Sequence, residues 1–213
     1  TNLMATARDT GLFAPHGTRL AGRTSLPVDF SDDMFVPFDW GHFAFVYNSE
    51  TMAQPPVSMQ ELVDAPESLR IVIQDPRTAT PGLGLLLWVK SVYGDDAPEA
   101  WAKLAPKIVT VTKGWWDAYS MFLEGEADMV LSYSTSPAYH VIAESTDKYK
   151  AAAFSEGHYM QVEVAAMMKN APQPELASQF MDFILDDGFQ SVIPTTNWMY
   201  PAGQASVPDA FGE

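Results

Sequence analysis

Leu69-Arg70-Ile71-Val72-Ile73 is a short apolar run. It passes into the loop Gln74-Asp75-Pro76-Arg77-Thr78-Ala79-Thr80-Pro81-Gly82-Leu83-Gly84 and then into a helical pattern that stops at Gly94. The same order returns twice. Ile108-Val109-Thr110-Val111-Thr112 leads into Lys113-Gly114-Trp115-Trp116, and Met129-Val130-Leu131-Ser132-Tyr133 leads into Ser134-Thr135-Ser136-Pro137. Strand–loop–helix units in series predict parallel strands with helical crossovers, hence an α/β fold. In such sheets the loops at the carboxyl ends of the strands face one crevice, where ligands bind. Thr78, Thr80, Trp115, Trp116, Tyr133, Ser134, Thr135 and Ser136 are therefore expected to converge. Thr80-Pro81 and Ser136-Pro137 read as N-caps followed by proline at the first helical position. A helix start offers unpaired N–H groups and partial positive charge, which suit an anion or the polar edge of a ligand. A single Thr or Ser in this place is as a rule only a cap; repetition beside aromatic residues makes the set a candidate site.

Outward from this block, residues 1–10 read as a helix that ends at Gly11, and residues 12–35 as surface loop. Val36 to Tyr47 is apolar on both alternating sets of positions, the mark of a strand buried on both faces. A long strand of this kind can pass from one lobe to another. Ser58-Met59-Gln60-Glu61 is a capping box opening a short helix. Trp101 and Leu104 point a further helix toward the core. Past residue 148 the chain changes direction, and Gln161 to Ala166 alternates as a strand. Leu176, Phe180, Phe183 and Ile184 fall at helical spacing and read as one buried stripe. Residues 193–208 are loop-rich, with Trp198 and Tyr200 as the bulky side chains.

The chain has 213 residues, enough for one large or two small domains with a real core. Asp and Glu number 27 against 12 Lys and Arg, a formal charge of −15. That argues against nucleic acid, whose phosphates call for basic side chains. It suits a cationic ligand, although acidity alone is more often a matter of solubility. No apolar run is long enough for a membrane helix. There is no cysteine, which excludes disulfide scaffolds, zinc–thiolate sites and thiol catalysis; it also fits an oxidising compartment. No signal peptide is visible, and the first residues read as the middle of a helix.

The motifs of catalysis are mostly missing: no nucleophile elbow, no Walker loop, no zinc-protease helix. Gly82-Leu83-Gly84 lacks the third glycine of a dinucleotide turn. His140 and Glu144 stand four apart and could bind a metal, but two such residues are usually a solvated helical pair. Glu156-Gly157-His158 could be an acid–base pair and reads better as a turn. Trp115, Tyr133, Trp198 and Tyr200 lie in loops or at strand ends. Four aromatics near one crevice suit a flat or cationic ligand held by stacking and cation–π contact. This is the composition of a binding site, with no obvious nucleophile, base or oxyanion donor set.

At these residues the chain resembles a known family. Gln74 through Leu85, Thr112-Lys113-Gly114-Trp115, Tyr133 through His140 and Asn197-Trp198-Met199-Tyr200-Pro201 are similar to the periplasmic thiamine-binding proteins of bacterial ABC importers. Val36 through Gly41 and Phe154 through Tyr159 match as well. The resemblance implies a type II periplasmic-binding-protein fold, with two lobes of mixed sheet flanked by helices and ligand in the cleft. It implies a periplasmic protein that captures thiamine, and thiamine phosphates, for an ABC transporter permease, with no catalytic role, cofactor or metal. Carried over by position, ligand contacts fall at Ala79, Thr80, Trp115, Tyr133, Ser134, Thr135 and Ser136, with Trp198 and Tyr200 lining the same cleft. Position 79 is alanine where the family pattern often has serine, which removes a hydroxyl and leaves the backbone N–H. A same-fold protein for ferric ion or a polyamine is the alternative, although paired tyrosines for iron are not evident.

Family members begin with further strand–helix units that this sequence lacks, so the chain resembles a fragment with its first lobe incomplete. Residues 1–47 and 151–194 are expected to form the partial first lobe. Residues 48–150 and 195–213 are expected to form the second lobe, which carries the ligand loops. With one wall incomplete, weak binding or none is expected of this chain alone.

Overall fold

The computed structural model describes residues 2–212; Thr1, the first residue of the expected N-terminal helix, and Glu213 lie outside them. In chain order the elements are α1 (Met4–Asp9), β1 (Phe13–Ala14), β2 (Phe35–Asn48), α2 (Met59–Asp64), β3 (Ile71–Gln74) and α3 (Thr80–Tyr93). There follow α4 (Ala97–Leu104), β4 (Ile108–Thr112), α5 (Trp115–Leu123), β5 (Met129–Tyr133), α6 (Ser136–Glu144) and β6 (Tyr149–Ala151). The chain closes with β7 (Met160–Met168), α7 (Pro174–Phe183), α8 (Asp187–Gln190), α9 (Ile193–Thr196) and β8 (Tyr200–Pro201). Among the described residues no helix is long and apolar enough to cross a membrane.

The contacts divide the chain into two units, Thr1–Gly41 with Gln161–Glu213, and His42–Met160. The chain therefore passes between units inside β2 and again at the start of β7. The expected boundaries at 47/48 and 150/151 move to these points. Residues 195–213 also group with the first unit, not the second. The reason is hydrogen bonding: β8 pairs with β2 at Asp39↔Pro201 and Trp40↔Tyr200, and the Ser25 N–H donates to the Ala202 carbonyl.

Unit 2 (residues 42–160) is built on a mixed sheet in which β5 and β3, then β3 and β4, are parallel, as the three repeated units require. β2 runs antiparallel to β5, from Phe43↔Tyr133 to Tyr47↔Met129. β2, β3 and β5 bury both faces with a period of two, while β4 leaves Val109 and Val111 exposed. Phe43, Phe45, Ile71, Ile73, Met129 and Leu131 meet Met59, Leu62, Leu85, Trp88 and Leu104 of α2, α3 and α4. The alternate residues Val46, Val72 and Val130 meet Ala118, Tyr119 and Phe122 of α5. Each such fully buried side chain contributes about 1.5–3 kcal/mol of hydrophobic stabilisation. Two glycines let α3 lie close on this sheet. A Cβ at Gly82 would sit 2.2 Å from the Gln74 carbonyl oxygen, and one at Gly84 would sit 2.0 Å from the Phe43 ring. The pair that resembled part of a nucleotide turn is a packing device.

In unit 1, β1 pairs antiparallel with β7, and the core gathers Leu20, Val36, Met181, Ile184 and Leu185. The expected stripe on α7 is corrected here. Leu176, Phe180 and Phe183 are 58%, 50% and 45% exposed; the helix turns Met181 inward, and only Ile184 of the four predicted positions is buried. The strand β6, which pairs antiparallel with β2 at Val46↔Ala151, was not expected either. Three residues carry too little alternation to announce a strand.

Candidate functional site

Seven of the nine expected site residues lie at the carboxyl ends of the parallel strands of unit 2, and hydrogen bonds tie their loops together. The Asp75 N–H donates to the Thr112 carbonyl at 2.8 Å, and the Thr78 hydroxyl donates to the Lys113 carbonyl at 2.7 Å. These join the loop after β3 to the loop after β4. The Trp115 indole N–H donates to Ser132 Oγ at 2.8 Å, joining the loop after β4 to the end of β5. The Ser134 N–H donates to the His42 carbonyl at 2.9 Å, anchoring the third loop to β2.

Within the first loop, Arg77 folds back on Asp75, and this hydrogen bond is the main reason the Asp75 carboxyl is held down to about 2. The loop is a closed turn before the helix starts. Helix α3 then begins one residue earlier than the proline suggests. Ala79 is the N-cap, with φ −137° and ψ 133°, and Thr80 is already helical. In the same way Thr135, not Ser136, is the N-cap of α6. Proline occupies the second helical position in both, where its missing N–H costs nothing. Neither helix start carries a side-chain capping hydrogen bond. Thr80 is exposed and Ala79 half-buried, so this helix start is open to a ligand.

Trp115 is the first residue of α5. It is half-buried, stacked on Tyr119 with ring centroids 4.9 Å apart and planes at 26°, and tilted against the exposed Trp116 at 5.8 Å. Tyr133 is half-buried beside Phe43, with centroids 5.2 Å apart. Ser136 is nearly buried. Its Oγ lies 2.7 Å from Ser132 Oγ and accepts the Tyr133 N–H at 3.3 Å. Thr80, Trp115, Tyr133 and Ser136 thus start or precede three helices whose leading loops and strand ends are joined by hydrogen bonds.

Trp198 and Tyr200 belong to unit 1. Tyr200 stacks on Trp40, with centroids 4.6 Å apart, and its hydroxyl donates to the Phe211 carbonyl at 3.0 Å. Trp198 has a φ of +57°, the left-handed region that a bulky residue seldom adopts. Beside it, Asn197 donates to the Asp39 carboxylate. Asp39 is fully buried, and its Oδ1 has no hydrogen-bond partner. Burial first, and then the charge of Glu163, push its pKa up to about 8 against the pull of the Asn197 hydrogen bond.

The remaining titratable motifs are engaged in the fold. His158 accepts the Phe154 N–H at Nε2, 3.0 Å away, and its Nδ1 lies 2.8 Å from the Phe43 carbonyl oxygen. Glu156 accepts the Met59 and Gln60 N–H groups at the start of α2. His140 is fully buried rather than part of a solvated pair. Among the described residues no three His, Cys, Asp or Glu side chains gather as a metal site. Sequence reasoning passed over Ser132, which holds the Trp115 indole; the signal was a serine interrupting the apolar run of β5.

The model of a family described as bacterial extracellular solute-binding protein matches residues 2–191. The thiamine-binding periplasmic protein of Escherichia coli (strain K12) is 56% identical over 210 residues, covering 99% of this chain and 64% of that protein. That of Brucella abortus is 54% identical over 208 residues, covering 98% of this chain and 62% of that protein. A solved structure titled periplasmic thiamin binding protein superposes with a TM-score of 0.97 at 55% identity, covering 100% of this chain and 66% of the other. A ferric binding protein from Campylobacter jejuni reaches a TM-score of 0.81 at 17% identity, covering 100% of this chain and 72% of that one, a likeness of fold alone. The chain spans 64% of the length of the first of these relatives.

Proposed function

We infer the function from one premise: this chain belongs to the bacterial extracellular solute-binding proteins. Within that family we propose that it captures thiamine, with thiamine phosphates as related ligands, in the periplasm for delivery to an ABC importer permease. The observation that carries this reading is the identity of 56% to a thiamine-binding periplasmic protein along nearly the whole chain. The relatives are named as binding proteins, and no catalytic role is proposed.

The physical chemistry of unit 2 supports the same ligand. Thiamine joins a flat aminopyrimidine to a permanently cationic thiazolium. The half-buried Trp115 and Tyr133 offer aromatic faces for either ring, at about 0.5–2 kcal/mol per contact. The net charge of −15 favours a cation over an anion at long range. A phosphate ester suits the start of α3 at Ala79 and the exposed Thr80, where the partial positive charge of a helix start favours an anion. Ser134, Thr135 and Ser136 supply the polar edge at the start of α6. Trp198 and Tyr200 are proposed as further ligand contacts on the resemblance alone. The ferric-ion alternative draws on neighbours that share only the fold.

The test is a titration of the chain with thiamine and, separately, with thiamine monophosphate, followed by thermal shift and by tryptophan fluorescence. The same titrations are made on this chain, where the response is expected to be weak, and on a chain extended to the length of the relatives, where thiamine is expected to saturate both signals and Trp115→Ala to weaken it by about tenfold or more, the worth of one stacking and cation–π contact. An extended chain that gives no saturable response to either compound overturns the proposal.

A further inference from the structure

Between α9 and β8 of unit 1 the chain turns through Asn197-Trp198-Met199, and the same stretch of β2 holds this turn at both ends. At its front, the Asn197 side-chain amide donates to the Asp39 carboxyl. At its back, Tyr200 and Pro201 pair with Trp40 and Asp39, and the Ala202 N–H donates to the Phe38 carbonyl at 3.1 Å. Gln190 secures the exit: it accepts the Gly203 N–H at 2.6 Å and donates to the same Phe38 carbonyl at 3.0 Å. Trp198 therefore sits between two anchors on residues 38–40 of one strand.

Two features of this turn work against stability. The first is the backbone of Trp198, with φ +57°. Where a helix end needs a left-handed residue, glycine or asparagine usually supplies it. Here Asn197 keeps a φ of −113°, and the tryptophan after it takes the left-handed turn. A bulky residue persists in such a conformation only where its surroundings over-determine it, and residues of this kind gather at ligand sites. The second feature is Asp39, which is 0% exposed. Among the described residues its carboxyl makes one hydrogen bond, to Asn197, and its Oδ1 has no partner. A polar group buried in this way is unfavourable where an apolar side chain would pack. Burial and the charge of Glu163 raise its pKa to about 8, so near neutral pH Asp39 keeps its proton and accepts from Asn197 as an uncharged acid. Folding alone explains neither feature. Holding a tryptophan in one direction explains both.

We propose that Asp39 and Asn197 are positioning residues for Trp198: the buried acid on β2 fixes the Asn197 amide, and this bond, together with the β8 pairing, holds the left-handed backbone that aims the Trp198 indole at a flat cationic ligand. The ligand part of this statement rests on the thiamine reading above, in which Trp198 is a proposed contact. The turn gives up stability for direction, as residues kept for binding commonly do. Stability and affinity are therefore expected to respond in different ways when the acid is replaced.

The experiment first follows the six indole N–H signals of the chain by nitrogen-15 NMR, with Trp198→Phe assigning one of them. Asp39→Leu and Asn197→Ala are expected to move the Trp198 signal. Asp39→Asn, which can still accept from Asn197, is expected to leave it near its wild-type position. Thiamine titrations are then made on a chain extended to the length of the relatives. There Asp39→Leu and Asn197→Ala are expected to weaken binding about tenfold, the worth of one net hydrogen bond, while Asp39→Asn binds as the wild type does. In a Trp198→Ala background the same two changes are expected to have no further effect, because they act through that ring. Thermal unfolding of Asp39→Leu is expected at or above the parent temperature, since an apolar side chain replaces a half-satisfied acid. A Trp198 signal indifferent to Asp39→Leu and Asn197→Ala overturns the proposal. So does a loss of affinity that only keeps step with melting temperature, or one that persists undiminished in the Trp198→Ala background. If the extended wild type shows no thiamine response while the Trp198 signal follows Asp39 and Asn197, the ligand reading fails and the positioning of Trp198 stands.

Discussion

The Trp115 indole is held by Ser132, a residue of a neighbouring strand, at 2.8 Å. The ring that the ligand reading needs most is thus oriented by β5 and not by its own helix. Serine at position 132 is fully buried, and its hydroxyl also bridges to Ser136. We expect Ser132→Ala to lower stability by about 1–2 kcal/mol, because it leaves two polar neighbours short of a partner. Thiamine affinity is expected to fall in the same variant. Urea unfolding and a thiamine titration of the folded variant measure the two effects.

Gly84 is required by Phe43. A Cβ placed 2.0 Å from that ring has nowhere to go, because Phe43 is itself fully buried. Gly84→Ala is expected to cost about 3 kcal/mol or more through overpacking. Adding Phe43→Leu opens room, so the double variant is expected to be less unstable than the sum of the two single changes. Thermal unfolding of the three variants decides this.

Asp39 gives unit 1 a pH dependence of definite sign. Its folded pKa is raised to about 8, foremost by burial, while the unfolded chain titrates near the ordinary carboxylate value of about 3.9. The folded state therefore holds the proton more tightly. The stabilisation is complete below the unfolded pKa and is lost as pH rises toward 8, at about 1.4 kcal/mol per pH unit for this group alone. Asp39→Asn carries no charge to desolvate and can still accept from Asn197. We expect it to flatten the fall in melting temperature between about pH 5 and 8 relative to the parent chain. A parallel pair of curves contradicts the assignment.

The three repeated units were legible because each couples a short apolar run to a loop and then to a helical pattern; β3 and β5 bury both faces, while β4 leaves Val109 and Val111 exposed. The helix starts shifted by one residue. The Thr-Pro and Ser-Pro pairs suggest proline at the first helical position, while the structure puts it at the second, where the missing N–H is equally harmless. The exposed stripe of Leu176, Phe180 and Phe183 shows that helical spacing gives a common face but not the direction in which the face is turned. Ser132 escaped, and His140 was read as half of a solvated pair, for a related reason. A polar residue in an apolar element declares itself only once its partners, Trp115 and Tyr119, are in place.

The most direct test follows the amide and indole N–H signals of the chain extended to the length of its relatives while thiamine is added. The account predicts saturable movement at Trp115, Tyr133 and Thr80 together, abolished at the neighbouring residues by Trp115→Ala. Thiamine that leaves these three positions unmoved, or that moves only signals remote from them, contradicts it.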